Sequence, residues 1–249
     1  FFQTEVTYLG HRIDKQGIHP TQERIEAVRN MPAPNNSKEL KSFLGAINFY
    51  SRFIPHLHPI CAPLYALTKD SVKWHWSKQS NSIFEQVKQT ITSEDTLVHY
   101  CEDWPLILVT DASNQGVGAV LLHRLPDGTE KPVGYASRTF NDREKQYSTI
   151  HKEALAIIFG VTKFYQYVFG RSFSLRTNHK PLERILGEKR EIPKMAANRL
   201  QRWALTLRAF NYDLQYVAGK QNVLADPLSR LPLSSTTSTE IKDKKNHSS

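Results

Sequence analysis

Leu106-Ile107-Leu108-Val109-Thr110-Asp111-Ala112-Ser113, followed by Gly116-Val117-Gly118-Ala119-Val120-Leu121-Leu122, is the stretch that decides the fold. Its first four residues form an apolar run long enough for a buried strand. Gly116–Leu122 reads as a second strand turning at Pro126-Asp127-Gly128, and Pro132-Val133-Gly134-Tyr135-Ala136 as a third. Strands joined by such short turns form an antiparallel meander. Downstream, Ile150, Ala154, Ile157, Ile158, Val161, Phe164 and Val168 share one stripe, which predicts a long helix over 143–168. Phe173–Thr177 alternates as a fourth strand. Helical stretches follow over 181–187 and 195–209, then a fifth strand over Tyr212–Val217 and a short helix over Ala225–Arg230. The order β-β-β-α-β-α-α-β-α predicts an α/β (α+β) domain.

Upstream the character differs. Residues 1–20 read as a β-hairpin turning at Lys15-Gln16-Gly17 and closed by His19-Pro20. Thr21 is expected to cap a helix that buries Ile25 and Val28, and Ser37 a second one carrying Leu40, Phe43, Leu44, Ile47 and Tyr50 up to Pro55. A short helix over Ala62–Thr68, an extended Trp74-His75-Trp76 and a helix capped by Ser77, with Phe84, Val87 and Ile91 inward, complete this portion. The expected units are 1–20, helical 21–96, strand-rich 97–232 and a Ser/Thr-rich, disordered 233–249, with the main boundary inside 92–105.

The chain has 249 residues, room for one large domain or two modest ones, and 39% apolar residues exclude a mostly disordered chain. Its longest apolar stretch, Ala154–Val161, falls short of the ~18–20 residues of a membrane span. Cys61 and Cys101, with no C-x-x-C, exclude a disulfide framework and fit a reducing, intracellular setting. The Phe1-Phe2-Gln3 start without methionine reads as a cut from a longer polypeptide. Lys+Arg exceed Asp+Glu by 33 to 24, a net +9. Residues 101–230 hold 19 basic against 13 acidic groups, or +6, while residues 1–100 hold 11 against 9, or +2. A basic domain attracts polyanions, nucleic acid first among them.

Three carboxylates stand at informative places. Asp111 closes the first strand, where an Asp often merely forms a turn. Glu153 shares the apolar stripe of its helix and must be partly buried, so it needs an ion-pair partner, a cation or a proton. Asp226 opens the last helix, where an N-cap serves equally. Together they could bind a hard cation through oxygen. Between Arg184 and Arg208 the residues Arg184, Lys189, Arg190, Lys194, Arg199, Arg202 and Arg208 outnumber Glu188 and Glu191, a pattern suited to phosphates, while Trp203 among them reads as core. Gly116-x-Gly118 lacks the third glycine of a dinucleotide loop, and His56-x-His58-x-x-Cys61 lacks a fourth zinc ligand, so both histidines are expected on the surface.

These residues also carry a family resemblance. Thr110–Ser113 with Gly116–Leu121, Tyr135–Thr139, Tyr147–Glu153, Arg176–Leu182, Leu200–Trp203 and Gly219–Asp226 resemble the RNase H domain of gypsy-type long-terminal-repeat retrotransposons. Tyr8-Leu9-Gly10-His11 resembles the end of the reverse transcriptase palm, and Leu40–Gly45 with Tyr50–Ile54 its thumb and connecting helices. The resemblance covers residues 1 to 230. It implies an RNase H-like five-stranded mixed sheet with flanking helices, preceded by a small, mostly helical thumb-like domain. It implies hydrolysis of the RNA strand of RNA–DNA hybrids with two Mg²⁺ ions, held by Asp111, Glu153 and Asp226, and a fourth carboxylate where this sequence has Asn178. Asn178 brings no negative charge and is expected to impair cleavage. Pro227 also departs from the small residue usual after the last Asp. The implied partners are the hybrid and the rest of a Pol polyprotein, with palm and fingers upstream and integrase downstream, in the cytoplasm or nucleus, with no membrane. No Tyr-x-Asp-Asp polymerase motif is present. The competing expectations are a catalytically dead nucleic-acid-binding remnant and a host-adopted interaction module.

Overall fold

The computed structural model describes residues 3–92, 97–187 and 198–218. The apolar run Leu106–Val109 lies in β4 (Leu106–Ala112), with β5 (Gly116–Arg124) and β6 (Glu130–Thr139) following in an antiparallel meander. Two later strands, β7 (Ser172–Thr177) and β8 (Asn211–Tyr216), add in parallel on the other side of β4. The sheet order is β6-β5-β4-β7-β8, a mixed five-stranded sheet.

The unbroken run Leu106–Val109 has a physical reason. Successive side chains of a strand point to opposite faces, and both faces of β4 are covered. Leu106 and Leu108, with Ala119, Leu121 and Leu175, pack beneath Ala154, Ile157 and Val161 of α6 (Thr149–Lys163). Ile107 and Val109, with Val120, Leu122 and Tyr135, pack on the opposite face against residues of the N-terminal half such as Leu40, Leu57, Leu64 and Phe84. Each fully buried aliphatic or aromatic side chain contributes about 1.5–3 kcal/mol.

The N-terminal half begins with a three-stranded meander, β1 (Glu5–Tyr8), β2 (His11–Asp14) and β3 (Gly17–Pro20), instead of the single hairpin expected over 1–20. Leu9 and Gly10 both take positive φ, 48° and 80°, which makes a two-residue turn that the sequence reading ran through. Helices α1 (Gln22–Arg29), α2 (Ser37–Asn48), α3 (Leu57–Leu67) and α4 (Lys78–Thr92) follow. Thr21 makes no side-chain capping bond, and the cap of α2 is Asn36, whose side chain accepts from the Glu39 N–H. Ser77 does cap α4, accepting from the Ser80 N–H. The helix expected from Ala62 starts five residues earlier, at Leu57.

The two sheets are separate, and among the described residues Ile18 of β3 makes an isolated antiparallel bridge with Leu97, which lies outside both. The long helix expected over 143–168 is three pieces: α5 (Asp142–Lys145), α6 and α7 (Tyr165–Val168). A capping box between Asn141 and Glu144 opens the first, which stops at Gln146, and Ser148 stands at the N-cap of the second. Helices α8 (Lys180–Leu186) and α9 (Asn198–Leu207) flank the last two strands. The expected helix over 225–230 and the tail lie outside the described residues. No helix among the described residues is long and apolar enough to cross a membrane.

Candidate active site

The parallel pairing of β4 with β7 builds the site. Its register sets Thr110 beside Thr177, so the next residues, Asp111 and Asn178, emerge side by side at the carboxyl ends of adjacent strands. The Asn178 Nδ2–H donates to Asp111 Oδ1 at 2.7 Å. Strand alternation places both side chains on the face opposite α6, because Ile107 and Val109 share the parity of Asp111.

Glu153 reaches the same strand end from the other side. It lies in the early part of α6 and is 5% exposed. Its carboxylate accepts the Ala112 backbone N–H, while burial and the Asp111 charge push its pKa up to about 8. Its Oε2 is buried without a hydrogen-bond partner among the described residues. Of the four side chains expected to share one pocket, Asp111 thus meets Asn178 through a hydrogen bond and Glu153 through its charge. Asp226 lies outside the described residues. Among those described, no group of three or more His, Cys, Asp or Glu could hold a metal ion. That follows from the chemistry: the third member present is an amide.

Aromatic and basic side chains surround the start of α6. The Arg199 guanidinium stacks 4.0 Å over the Tyr147 ring. His151 hydrogen-bonds Ser148 Oγ at 2.8 Å and meets Tyr147 and Trp203 edge-on. Burial and the nearby Arg199 charge lower the His151 pKa. Trp203 is half-buried against the core. Of the proposed phosphate-binding residues, Arg184 and Arg202 are exposed and Arg199 is half-buried on Tyr147, while Lys189, Arg190 and Lys194 lie outside the described residues.

His56 and His58 are not surface histidines. His56 is 7% exposed. The His58 backbone N–H donates to Ser137 Oγ on β6, and its ring Nδ1 lies 3.2 Å from the same oxygen. Burial, then the Lys163 charge, lowers the His58 pKa. The sequence signal that could have found them is the apolar character of the following α3 residues, which must bury against something.

Residues 102–210 match the model of the RNase H-like domain found in reverse transcriptase. The chain is 36% identical over 234 residues, 93% of its length, to the transposon Tf2-3 polyprotein of Schizosaccharomyces pombe, and equally to the Tf2-4 polyprotein. It spans 17% of the length of these curated relatives. Among solved structures, the foamy viral protease-reverse transcriptase in complex with dsDNA superposes with a TM-score of 0.69 at 24% identity, over 87% of this chain and 45% of that one. The same viral protein in complex with RNA/DNA hybrid gives 0.67 at 22% identity, over 99% of this chain and 32% of that one. The shared fold is the mixed five-stranded sheet with its flanking helices.

Proposed function

Since the chain belongs to the family of RNase H-like domains found in reverse transcriptase, which it carries over residues 102–210, we propose that it binds RNA–DNA hybrids and hydrolyses their RNA strand at the Asp111–Glu153–Asn178 pocket. The observation that carries this reading is the meeting of two carboxylates and an amide at the carboxyl ends of β4 and β7. The foamy viral protein of like fold, solved with RNA/DNA hybrid, supports the substrate class. The 2′-hydroxyl is what lets such a site tell RNA from DNA. By the same membership the chain works as part of an intracellular Pol polyprotein, with polymerase palm and fingers upstream and integrase downstream.

The residues fit a divalent cation. The orphaned, buried Oε2 of Glu153 and the raised pKa of that carboxyl both describe a group that lacks a positive partner. Asp111, Glu153 and Asp226 would hold Mg²⁺, with the Asn178 amide oxygen as a neutral fourth donor. Bound there, Mg²⁺ supplies charge neutralisation at the scissile phosphate and lowers the pKa of an attacking water. The chain's own groups do the rest. Ala112 N–H fixes one end of the Glu153 carboxylate, and the Asn178 amide orients Asp111. Exposed Arg184 and Arg202 neutralise phosphates on either side.

A second reading, hybrid binding without cleavage, is favoured by one contact: the Asn178 amide donates to Asp111 Oδ1, which places a proton donor where a cation would sit. The test is retention and cleavage of a labelled RNA–DNA hybrid, with duplex DNA as competitor. Hybrid retention that weakens with salt, together with RNA-strand products from the Asn178→Asp form that a further Asp111→Asn abolishes, is expected. Equal retention of all duplexes and identical product patterns for both forms would contradict the proposal.

A further inference from the structure

His56 stands at the N-cap of α3 with φ 51°, one of two non-glycine residues with positive φ among those described. The other, Leu9, serves a turn between strands. Left-handed backbone at a residue with a Cβ is held only where the surroundings fix it, and such residues gather at functional sites. The His56 ring is what those surroundings hold. It lies so close over Gly118 that a Cβ there would clash with the ring Cε1 and Nδ1. Only glycine fits beneath it.

Gly118 is the direct cross-strand partner of Asp111 in the β4–β5 ladder. Partners in an antiparallel ladder have Cα atoms about 4.5–5.5 Å apart. The imidazole of the helical half thus lies over the residue paired with the site carboxylate, on the sheet face to which Asp111 belongs. A small cavity of about 10 Å³ lies between, lined by His56, Asp111, Gly118, Val109, Val120 and Tyr135 among others. That is room to centre one water molecule, and such a site needs polar partners of the kind an imidazole and a carboxylate supply. No hydrogen bond to the His56 ring comes from any described residue, so its donor is available to that cavity.

We propose that His56 is a positioning residue for Asp111: its ring N–H, through a single water in this cavity, holds the Asp111 carboxylate in the orientation in which it meets Asn178 and faces Glu153. The helical half thereby contributes a side chain to the pocket of the five-stranded sheet. The inference rests on the proposed function only in taking Asp111 as the site carboxylate.

The test uses the full chain, and its first readouts need neither metal nor hybrid. In ¹⁵N NMR spectra the Asn178 side-chain amide, identified by its loss in Asn178→Asp, reports its bond to Asp111 through slow exchange with water. His56→Phe fills the ring volume without the donor and is expected to speed that exchange at least fivefold. His56→Asn, which keeps a donor and tolerates positive φ, is expected to stay within twofold of the parent. Unchanged exchange in His56→Phe would overturn the proposal, as would equal loss in both variants in step with unfolding. Should His56→Phe fail to fold, the reciprocal measurement decides. Asp111→Asn is expected to shift the His56 ring ¹⁵N resonances by several ppm, and no shift would overturn the proposal. In the Asn178→Asp form, His56→Phe is expected to lower kcat about tenfold with KM unchanged, and a rise in KM at constant kcat would also overturn it. Absence of cleavage in every form would count against the RNase H reading and leave the NMR results to decide this one.

Discussion

Burial of the Glu153 carboxyl, with the Asp111 charge beside it, raises its pKa from 4.5 to about 8. The folded state therefore keeps this proton where the unfolded chain has lost it. The stabilisation is fully present below about pH 4.5 and declines as pH rises through about 8. Over that window it amounts to roughly 3–5 kcal/mol. Glu153→Gln keeps the acceptor for Ala112 N–H and removes the titration. Urea unfolding at pH 7 and pH 9, both above the histidine titrations, should give similar stabilities for this variant and a fall for the parent, with the variant the more stable at pH 9. A parent whose stability rises across this range would refute the assignment. The inward place of Glu153 was legible from its position on the apolar stripe, three residues after Ile150 and four before Ile157. Asn178 was legible by its family position. The burial of His56 was not, because it depends on Gly118, far away in sequence.

At the scale of elements, β4 and β5 carry the most informative sequence, and β5 holds a buried polar group that periodicity passed over. His123 is fully buried near the end of β5. Its Nε2 accepts the Cys101 N–H at 3.0 Å, which leaves Nδ1–H to donate to the Pro105 carbonyl at 3.3 Å. Burial, more than the nearby Arg171 charge, lowers its pKa below 6.5. A His with a depressed folded pKa contributes stability that is present above the unfolded value and lost as pH falls through the folded one. His123→Ala should cost about 2–4 kcal/mol, from a cavity and an orphaned Cys101 N–H, since the Pro105 carbonyl keeps its bond from the Arg124 N–H. It should also flatten the acid limb of the stability profile below pH 6.5. Denaturation midpoints between pH 5 and 7 measure both effects, and an unchanged acid limb would place the titration elsewhere. Boundaries were less legible than faces. The stripe over 143–168 was continuous in sequence, yet the stop at Gln146 with a new N-cap at Ser148, and the break at Phe164, divide it. The turn at Leu9–Gly10 hid behind a Leu in a conformation that leucine seldom adopts.

Across the whole molecule, a boundary in composition is not a boundary in packing. The helical half and the sheet share one core, in which Leu64 of α3 and Leu122 of β5 are both fully buried. Charge and strand content change near Leu97, but β4 and β5 are apolar on both faces, and their second face needs the helices. Leu64→Ala should cost about 2–5 kcal/mol. It should speed amide exchange at Val120 and Leu122 as well as within α3, in a single unfolding transition. Exchange confined to α3 would mean two independent units. The mixed sheet sets Asp111 beside Asn178 at its strand ends, and the proposed cleavage chemistry is most exposed at Asn178. In the proposed two-cation site, an amide there supplies one negative charge fewer than a carboxylate against two mutually repelling cations. The most direct measurement is Mg²⁺-dependent cleavage of a labelled RNA–DNA hybrid by the parent and by Asn178→Asp, at matched folding and with hybrid affinity determined for both. Near-equal affinity, weak or absent cleavage by the parent, and recovery of about a hundredfold or more in Asn178→Asp are expected. Equal cleavage rates for the two forms, or none from the Asp form, would contradict the proposed chemistry.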